Sequence, residues 1–232
     1  MTREIDLNAD LGEEVTDDVG LLGVVTSANV ACGYHAGDAA TMRMVCEEAV
    51  RRGVAVGAQV SYADRANFGR VEMEVDHDVL RDQVTHQVSV LSDAALAAGT
   101  RVSYLKPHGA LYNRVVHDEA QARAVLDGSG RLPVLGLPGA VILRLAVEAG
   151  RAAHGEGFPD RAYTAQGTLV PRTEPGAVIS DPALIADRAV ELARSGGVVS
   201  VCVHGDSPGA VASAEAVRRA LETAGMSLRS FT

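Results

Sequence analysis

Cysteine is scarce in this chain, and the three residues that occur, Cys32, Cys46 and Cys202, show no Cys-x-x-Cys spacing. An odd number of cysteines without paired spacing indicates neither a disulfide framework nor a thiolate zinc site. The sequence therefore favours a reducing compartment.

Long apolar runs are missing as well. Residues 1–6 lead directly into a strand pattern without the apolar stretch of a signal peptide, and no later segment is apolar enough to cross a bilayer. Basic residues are outnumbered, 21 Lys and Arg against 30 Asp and Glu, and the net charge of -9 disfavours nucleic acid and membrane surfaces as partners. We therefore predict a cytoplasmic protein, folded as a single domain over residues 1–232.

Lysine is nearly absent, because Lys106 is the only one among 21 basic residues. Its neighbours Leu105 and Pro107 exclude a Walker A loop, and the Gly-x-Ser-x-Gly elbow of an ordinary serine hydrolase is missing. A compositional drift toward arginine would leave one lysine by chance. However, ammonium and guanidinium groups are not interchangeable at a tight site, so Lys106 becomes a candidate functional residue.

Short β-rich runs do occur, and they alternate with longer segments of helical period, which indicates repeated βα units and a parallel sheet. The predicted strands are residues 4–8, 28–32, 54–58, 102–106, 133–137, 151–153 and 198–203. We therefore predict an α/β fold, a seven-stranded (β/α) barrel of the TIM type, with an open doubly wound sheet as the alternative. Helices are predicted to begin near Asp38, Asp76, Asp181 and Ser207, and residues 155–176 to form a long functional or mobile loop.

Polar residues collect where the predicted strands end, and α/β barrels build their sites at those ends. On the first strand, side-chain alternation places Asp6 and Asn8 opposite the apolar residues, so we expect both to point into the barrel. Asp10 and Glu13 follow, either as site residues or as residues that cap or solvate a turn.

The second strand leads to His35, which glycines flank and which could bind a metal or move a proton. Arg65 and Arg70 follow the third strand. They either present a fork to a carboxylate or phosphate, or order their own loop through an ion pair.

The fourth strand ends at Lys106 and His108, which are two residues apart and so project to the same face in extended chain. The last strand leads to His204 and then to Asp206, which either belongs to the site or prepares a helix N-terminus. The remaining histidines are interpreted as surface residues: His77, His86, His117 and His154.

These motifs, taken in order, resemble those of the LamB/YcsF family. The matching segments are residues 6–13, 27–38, 64–70, 106–109 and 204–206, and a long-loop pattern with Glu156, Phe158, Asp160, Arg161 and Tyr163, then residues 167–172. The resemblance extends over nearly the whole chain. It implies a barrel related to glycoside hydrolases and sugar deacetylases, and the role of the A subunit of an ATP-dependent 5-oxoprolinase. Such an enzyme opens 5-oxo-L-proline to L-glutamate with ATP as cosubstrate and with the B and C subunits as partners.

The chain departs from the family pattern at Gln59 and Val60, where the family usually has a His-Pro pair. This change removes a possible metal ligand or acid/base group from the third strand. The stretch between Arg194 and Val201 is also shorter than is usual in the family.

From these positions we predict Asp6, Lys106 and His108 as catalytic residues. Lys106 would stabilise a transferring phosphoryl group or an oxyanion, and Asp6 or His108 would activate the nucleophile. The predicted substrate-binding residues are Asn8, His35, Arg65, Arg70, Asn113, Arg161 and His204. Of these, Arg65 or Arg70 would hold the substrate carboxylate.

Two other classes of function stay open. A metal-dependent deacetylase or amidohydrolase would place Asp6, His35, His108 and His204 around a divalent ion. A non-catalytic subunit would only bind substrate or stabilise partner chains. The chain could also form a homo-oligomer.

Overall fold

The computed structural model describes residues 3–15, 17–206 and 209–232. Seven parallel strands form a closed barrel, because each pairs with the next in the chain and the seventh pairs back to the first. They are β1 (Arg3–Leu11), β2 (Ser27–Ala31), β3 (Ala55–Val60), β4 (Val102–Pro107), β5 (Val134–Gly136), β6 (Ala153–Gly157) and β7 (Ser200–Val203). The predicted seven-stranded barrel is confirmed, and the open sheet is wrong.

An eighth strand, β8 (Met226–Leu228), was not predicted. It pairs in parallel with the first residues of β1, outside the barrel closure. With only three residues, β8 is too short to give an alternation signal in the sequence.

The helices surround the barrel. They are α1 (Asp18–Leu22), α2 (Ala39–Arg52), α3 (His77–Ala97), α4 (Gly109–Arg114), α5 (Glu119–Gly128), α6 (Val141–Glu148), α7 (Pro182–Arg194) and α8 (Ala210–Thr223). Asp38 and Asp181 cap α2 and α7 by accepting backbone N–H bonds, as predicted. Asp76 precedes α3 but makes no side-chain cap bond, and the predicted start at Ser207 lies outside the described residues.

Alternation along β1 separates the two sides of the barrel wall. Leu7 and Ala9 are buried in the hydrophobic core with the helices, whereas the buried Asp6, Asn8 and Asp10 contact polar groups of neighbouring strands. The interior is therefore polar, and the apolar core lies between strands and helices. None of the described helices is long and apolar enough to cross a membrane.

The sixth strand starts later than predicted. Two of its five residues are glycines, which weakens the strand signal in the sequence. Gly155 is needed there because a Cβ would lie 2.1 Å from the Gly197 carbonyl oxygen. The predicted loop from residue 155 is therefore strand as far as Gly157 and irregular beyond it, with isolated antiparallel bridges Arg161–Val178 and Tyr163–Leu169.

His154 was predicted to lie at the surface, and this is wrong. It is part of β6, half-buried near the starts of the strands, with its ring centroid 4.9 Å from that of Phe231. Phe231 also lies 4.9 Å from the ring of Tyr104, so the last residues of the chain cover this end of the barrel.

Candidate active site

A cavity of about 520 Å³ opens at the carboxyl ends of the strands. Six of the predicted site residues line it: Arg70, Lys106, His108, Asn113, Arg161 and His204. Asp10, Phe158 and Arg172 contribute to the same wall. Side chains after β1, β4, β6 and β7 therefore converge on one space, as the positions of the strand ends predict.

Lys106 lies at the base of this cavity with its ammonium group buried. Its Nζ is 3.1 Å from Asp10 Oδ1, 3.1 Å from Glu156 Oε2 and 3.0 Å from Cys202 Sγ. Burial alone would lower the pKa of Lys106, but the charges of Asp10 and Glu156 outweigh it and raise that pKa well above its usual value. The ammonium is therefore a fixed positive charge.

The two carboxylates beside Lys106 respond differently to burial. Burial opposes ionisation of Asp10, but the charge of Lys106 prevails and lowers the pKa of Asp10 below its usual value. For Glu156 burial dominates and raises the pKa despite Lys106. Asp10 is therefore the permanent counter-ion, and Glu156 is the group that can gain a proton.

His204 forms a hydrogen-bonded pair with Asp160. Its Nδ1 is 2.8 Å from Asp160 Oδ2, its backbone N–H donates to the same oxygen, and its ring stacks on Phe158 at 5.2 Å. Burial opposes ionisation of Asp160, but His204 lowers the pKa of that carboxyl overall. With Nδ1 held by the carboxylate, Nε2 is the ring nitrogen left for a molecule in the cavity.

His35 and His108 stack behind the cavity wall, with ring centroids 4.0 Å apart. His108 Nε2 donates to the carbonyl oxygen of Phe68 at 3.1 Å, which leaves Nδ1 facing Glu13 Oε1 at 3.5 Å and Gln59 Nε2 at 2.9 Å. Burial, followed by the neighbouring His35, lowers the pKa of His108 well below its usual value, so the ring is neutral.

The metal set predicted from the sequence does not come together. His35 and His108 are close, but their carboxylate partner is Glu13. Among the described residues, these three form the group whose ligand atoms lie within 4.8 Å of one another. His204 is bound to Asp160, and Asp6 lies deeper in the barrel.

Asp6 does not reach the cavity. Its carboxylate accepts hydrogen bonds from Thr26 at 2.6 Å, Ser27 at 2.7 Å and Ser200, all near the amino-terminal ends of the strands. Alternation along β1 correctly predicts that Asp6 points into the barrel, but it does not predict how far along the barrel axis the side chain lies from the cavity. Asp10, four residues further along, occupies the position expected for Asp6.

Three predicted substrate-binding residues also lie outside the cavity lining. Asn8 sits between Asp6 and Asp10 and accepts a hydrogen bond from Asn29. Arg65 donates to the Gly37 carbonyl oxygen at 2.7 Å and pairs with Glu14. It therefore makes a structural ion pair, but one that joins the loop after β3 to the loops after β1 and β2 and does not order its own loop. His35 is buried behind His108.

Arginine side chains give one side of the cavity a positive charge. Arg70 and Arg172 both approach Asp206, and Arg70 lies over the Phe68 ring. The buried Arg161 donates to the carbonyl oxygens of Val170 and Ala177, and its pKa falls to about 10, first because of burial and then because of Arg172. This arrangement suits an anionic group of a small ligand. Asn113 lines the cavity nearby.

Four polar residues of the site were not among the predicted site residues, although three of them lie in segments that resemble the LamB/YcsF family. They are Glu156, Asp160, Cys202 and Arg172. Glu156 had a usable signal, because it belongs to the long-loop pattern that resembles the LamB/YcsF family. Asp160 and Arg172 belong to the long irregular segment, where no periodicity indicates which way a side chain points.

Comparison with known proteins agrees with this geometry. The sequence profile of the LamB/YcsF family matches residues 5–232. A Streptomyces avermitilis protein, named as the A subunit of 5-oxoprolinase, is 57% identical, covering 98% of this chain and 99% of its own length. A protein of the same name from Cutibacterium acnes is 48% identical over 97% of this chain and 98% of its own.

Among solved structures, the lactam utilization protein from Thermus thermophilus superposes with a TM-score of 0.90 at 37% identity, covering 98% of this chain and 100% of that one. A peptidoglycan N-acetylglucosamine deacetylase domain from Eubacterium rectale has a TM-score of 0.56 at 13% identity, covering 100% of this chain and 90% of that one. The second likeness shows a shared barrel fold. The chain belongs to the LamB/YcsF family.

Proposed function

We propose that this chain is the A subunit of an ATP-dependent 5-oxoprolinase and that its cavity binds 5-oxo-L-proline. The names of relatives at 48 and 57% identity over nearly the full length support this assignment. The observation that carries it is the pairing of a fixed ammonium, Lys106, with an Asp160–His204 pair in one small cavity. Opening an amide requires a general base and a positive charge that stabilises an oxyanion, and these residues supply both.

The reaction breaks the C–N bond of an unstrained five-membered lactam, which is a poor electrophile near neutral pH. Transfer of a phosphoryl group from ATP to the lactam oxygen would make the ring carbon open to attack by water. Water adds to that carbon, and the ring nitrogen takes a proton and leaves as the α-amino group. A second water then hydrolyses the resulting γ-glutamyl phosphate to L-glutamate and inorganic phosphate. Lys106 would stabilise the negative charge that develops on the former carbonyl oxygen or on the transferring phosphoryl group.

His204 is better placed than His108 to activate the water. Both ring nitrogens of His108 already face protein groups, Phe68 on one side and Gln59 with Glu13 on the other. His204 keeps Nε2 for the cavity while Asp160 orients the ring and stabilises the imidazolium. We therefore assign the general base to His204 and a supporting role in the wall to His108.

The α-carboxylate of the substrate would bind on the arginine side of the cavity. Arg70 and Arg172 share Asp206 as a counter-ion, and Arg161 has only backbone carbonyl oxygens as its hydrogen-bond acceptors among the described residues. A substrate carboxylate would supply the negative charge that is needed, beside Asp206, to balance the three guanidinium groups. Arg172 joins the predicted Arg70 and Arg161 in this role.

The division of labour with the B and C subunits is part of the proposal. The chain has no Walker A loop, so we expect ATP-dependent turnover only when the partners are present. The proposed setting is the cytoplasm, where ATP is available.

A different reaction class, metal-dependent amide hydrolysis, is favoured by one observation, the proximity of Glu13, His35 and His108. It predicts turnover without ATP. A protein that only binds substrate predicts that substitutions in the cavity leave turnover unchanged.

The test is 5-oxoproline-dependent ADP release by the chain with its partner subunits. We expect His204→Gln and Lys106→Met to lower kcat by about 100-fold or more, as is typical for loss of a general base or an oxyanion-stabilising charge. His86→Gln, at an exposed position on α3, is the matched control and should keep full turnover. Unchanged turnover in both cavity variants would exclude the proposed mechanism, and turnover without ATP would favour the metal-dependent reaction.

A further inference from the structure

We propose that Glu13, His35, His108 and Gln59 form a binding site for a first-row transition dication such as Zn²⁺, directly behind the cavity wall. The proposal concerns binding and does not depend on the reaction assigned above. Two imidazoles, a carboxylate and an amide oxygen are a ligand set that suits ions of this class.

Unsatisfied polar atoms mark the site. His35 is 1% exposed, and neither of its ring nitrogens has a hydrogen-bond partner among the described residues. The Oε1 atom of Gln59 is in the same condition, in a side chain that is 0% exposed. Buried polar groups are rarely left without partners, because desolvating them is costly. A bound cation would satisfy His35 Nε2 and, once the amide rotates, Gln59 Oε1.

The spacing of the ligand atoms fits one ion. Glu13 Oε1 lies 3.6 Å from His35 Nε2 and 3.5 Å from His108 Nδ1, distances too long for good hydrogen bonds. Two ligand atoms that each lie about 2.1 Å from a metal are roughly 3.0 to 3.4 Å apart at octahedral or tetrahedral angles. All three atoms lie within 4.8 Å of one another, so one ion could join them once the nearly parallel imidazoles tilt to aim both nitrogens at it.

Gln59 completes the set. Its amide nitrogen is 3.0 Å from Glu13 Oε1 and 2.9 Å from His108 Nδ1, so the amide group lies beside the same two ligand atoms. As oriented here, the amide donates to both atoms and bridges them in the absence of a cation. Rotating the amide by half a turn would direct Oε1 to that position, and a carbonyl oxygen is a metal ligand.

The site adjoins the proposed chemistry without being part of it. His108 lines the cavity, and its Nδ1 lies 4.0 Å from Asp10 Oδ2, so a cation would face the Asp10 and Lys106 pair from behind. Imidazole is a stronger ligand for these ions than an amide oxygen. A histidine at position 59 should therefore bind the ion more tightly than glutamine does.

The experiment measures Zn²⁺ binding by calorimetry on the purified chain after dialysis against chelator. We expect one Zn²⁺ per chain, at least tenfold weaker binding in Glu13→Gln and in His35→Asn, and tighter binding in Gln59→His. His86→Asn, which removes an exposed imidazole, should bind as the unaltered chain does. Circular dichroism checks that each variant is folded, and Gln59→His tests the site by a gain that misfolding cannot produce.

The proposal is overturned if the unaltered chain binds no more Zn²⁺ than His35→Asn, or if both ligand variants bind normally. It is also overturned if only Gln59→His binds, because the glutamine would then fill the position of the ion. None of these measurements uses 5-oxoproline or ATP. A negative result for Zn²⁺ binding would therefore not count against the proposed function, which the turnover assay tests separately.

Discussion

Asp6 shows how a charge is accommodated inside this barrel. Its carboxylate receives three hydroxyl hydrogen bonds, and the Ser200 hydroxyl that bonds it also contacts Asn8. The chain of contacts continues through Asn29 to Asp10 and so to Lys106. A polar row thus runs from the base of the barrel to the cavity, and each member restricts the position of the next.

The row predicts a pH dependence of stability at Asp6. Burial raises the pKa of Asp6 from 3.8 to about 6, although its hydroxyl partners work in the opposite direction. A raised pKa in the folded state means that the protonated form is favoured there, so the contribution of Asp6 to stability is fully present below pH 4 and is lost as the pH rises through 6. The size of this effect is about 3 kcal/mol, at roughly 1.4 kcal/mol per pKa unit.

Urea unfolding between pH 4 and 7 measures this effect in Asp6→Asn. Relative to this variant, the unaltered chain should lose about 3 kcal/mol of unfolding free energy over that range, because asparagine does not titrate. Asp93→Asn, at an exposed position on α3, is the control and should show a constant difference. A constant difference for Asp6→Asn as well would mean that Asp6 ionises as freely in the folded chain as in the unfolded one.

At the scale of elements, the turn from β4 into α4 fixes His108. Gly109 has φ of +61°, and a Cβ there would lie 2.3 Å from the Gly69 carbonyl oxygen. That same oxygen accepts a hydrogen bond from the Ala110 N–H, and the adjacent Phe68 carbonyl accepts from His108. The loop after β3 and the turn after β4 are therefore held in direct backbone contact.

Gly109→Ala should break this contact, and Gly53→Ala is its matched control. Gly53 ends α2 with φ of +69° and has no atom within 4 Å of an added Cβ, so its substitution introduces only the strain of the left-handed conformation, about 1 kcal/mol. Gly109→Ala should lose about 1 to 3 kcal/mol more, because the loops must separate. Equal losses of unfolding free energy in urea would show that the two loops part without cost.

The elements differ in how far sequence could predict them. Strands β1 to β4 and β7 carry apolar or alternating runs, and the predictions overlap the observed strands. β6 is different because Gly155 lies against the Gly197 backbone and Gly157 against the Leu192 side chain. Such contacts between distant segments have no local signal. Asp160 and Arg172 were not predicted for a similar reason, since the long segment after β6 has turns and isolated bridges but no periodic pattern.

The two ends of the barrel differ in what they contribute to the protein. The carboxyl ends of the strands build the cavity, whereas the other end is covered by β8 and the residues after it. There, Phe231 contacts the rings of Tyr104 and His154, and Tyr104 donates a hydrogen bond to Asn29 of the polar row. Stability and chemistry should therefore be separable by substitutions at the two ends.

Phe231→Ala tests this separation. Its ring is partly exposed, so the expected loss of unfolding free energy is about 1 to 3 kcal/mol, below the value for a fully buried phenylalanine. Leu96→Ala, at a residue that is 76% exposed, should lose almost nothing. Turnover per folded molecule should stay within about twofold in both, because neither ring partner of Phe231, Tyr104 or His154, lines the cavity. A stable but inactive Phe231→Ala enzyme would instead show that Tyr104 and Asn29 transmit the position of the chain end to Asp10 and Lys106.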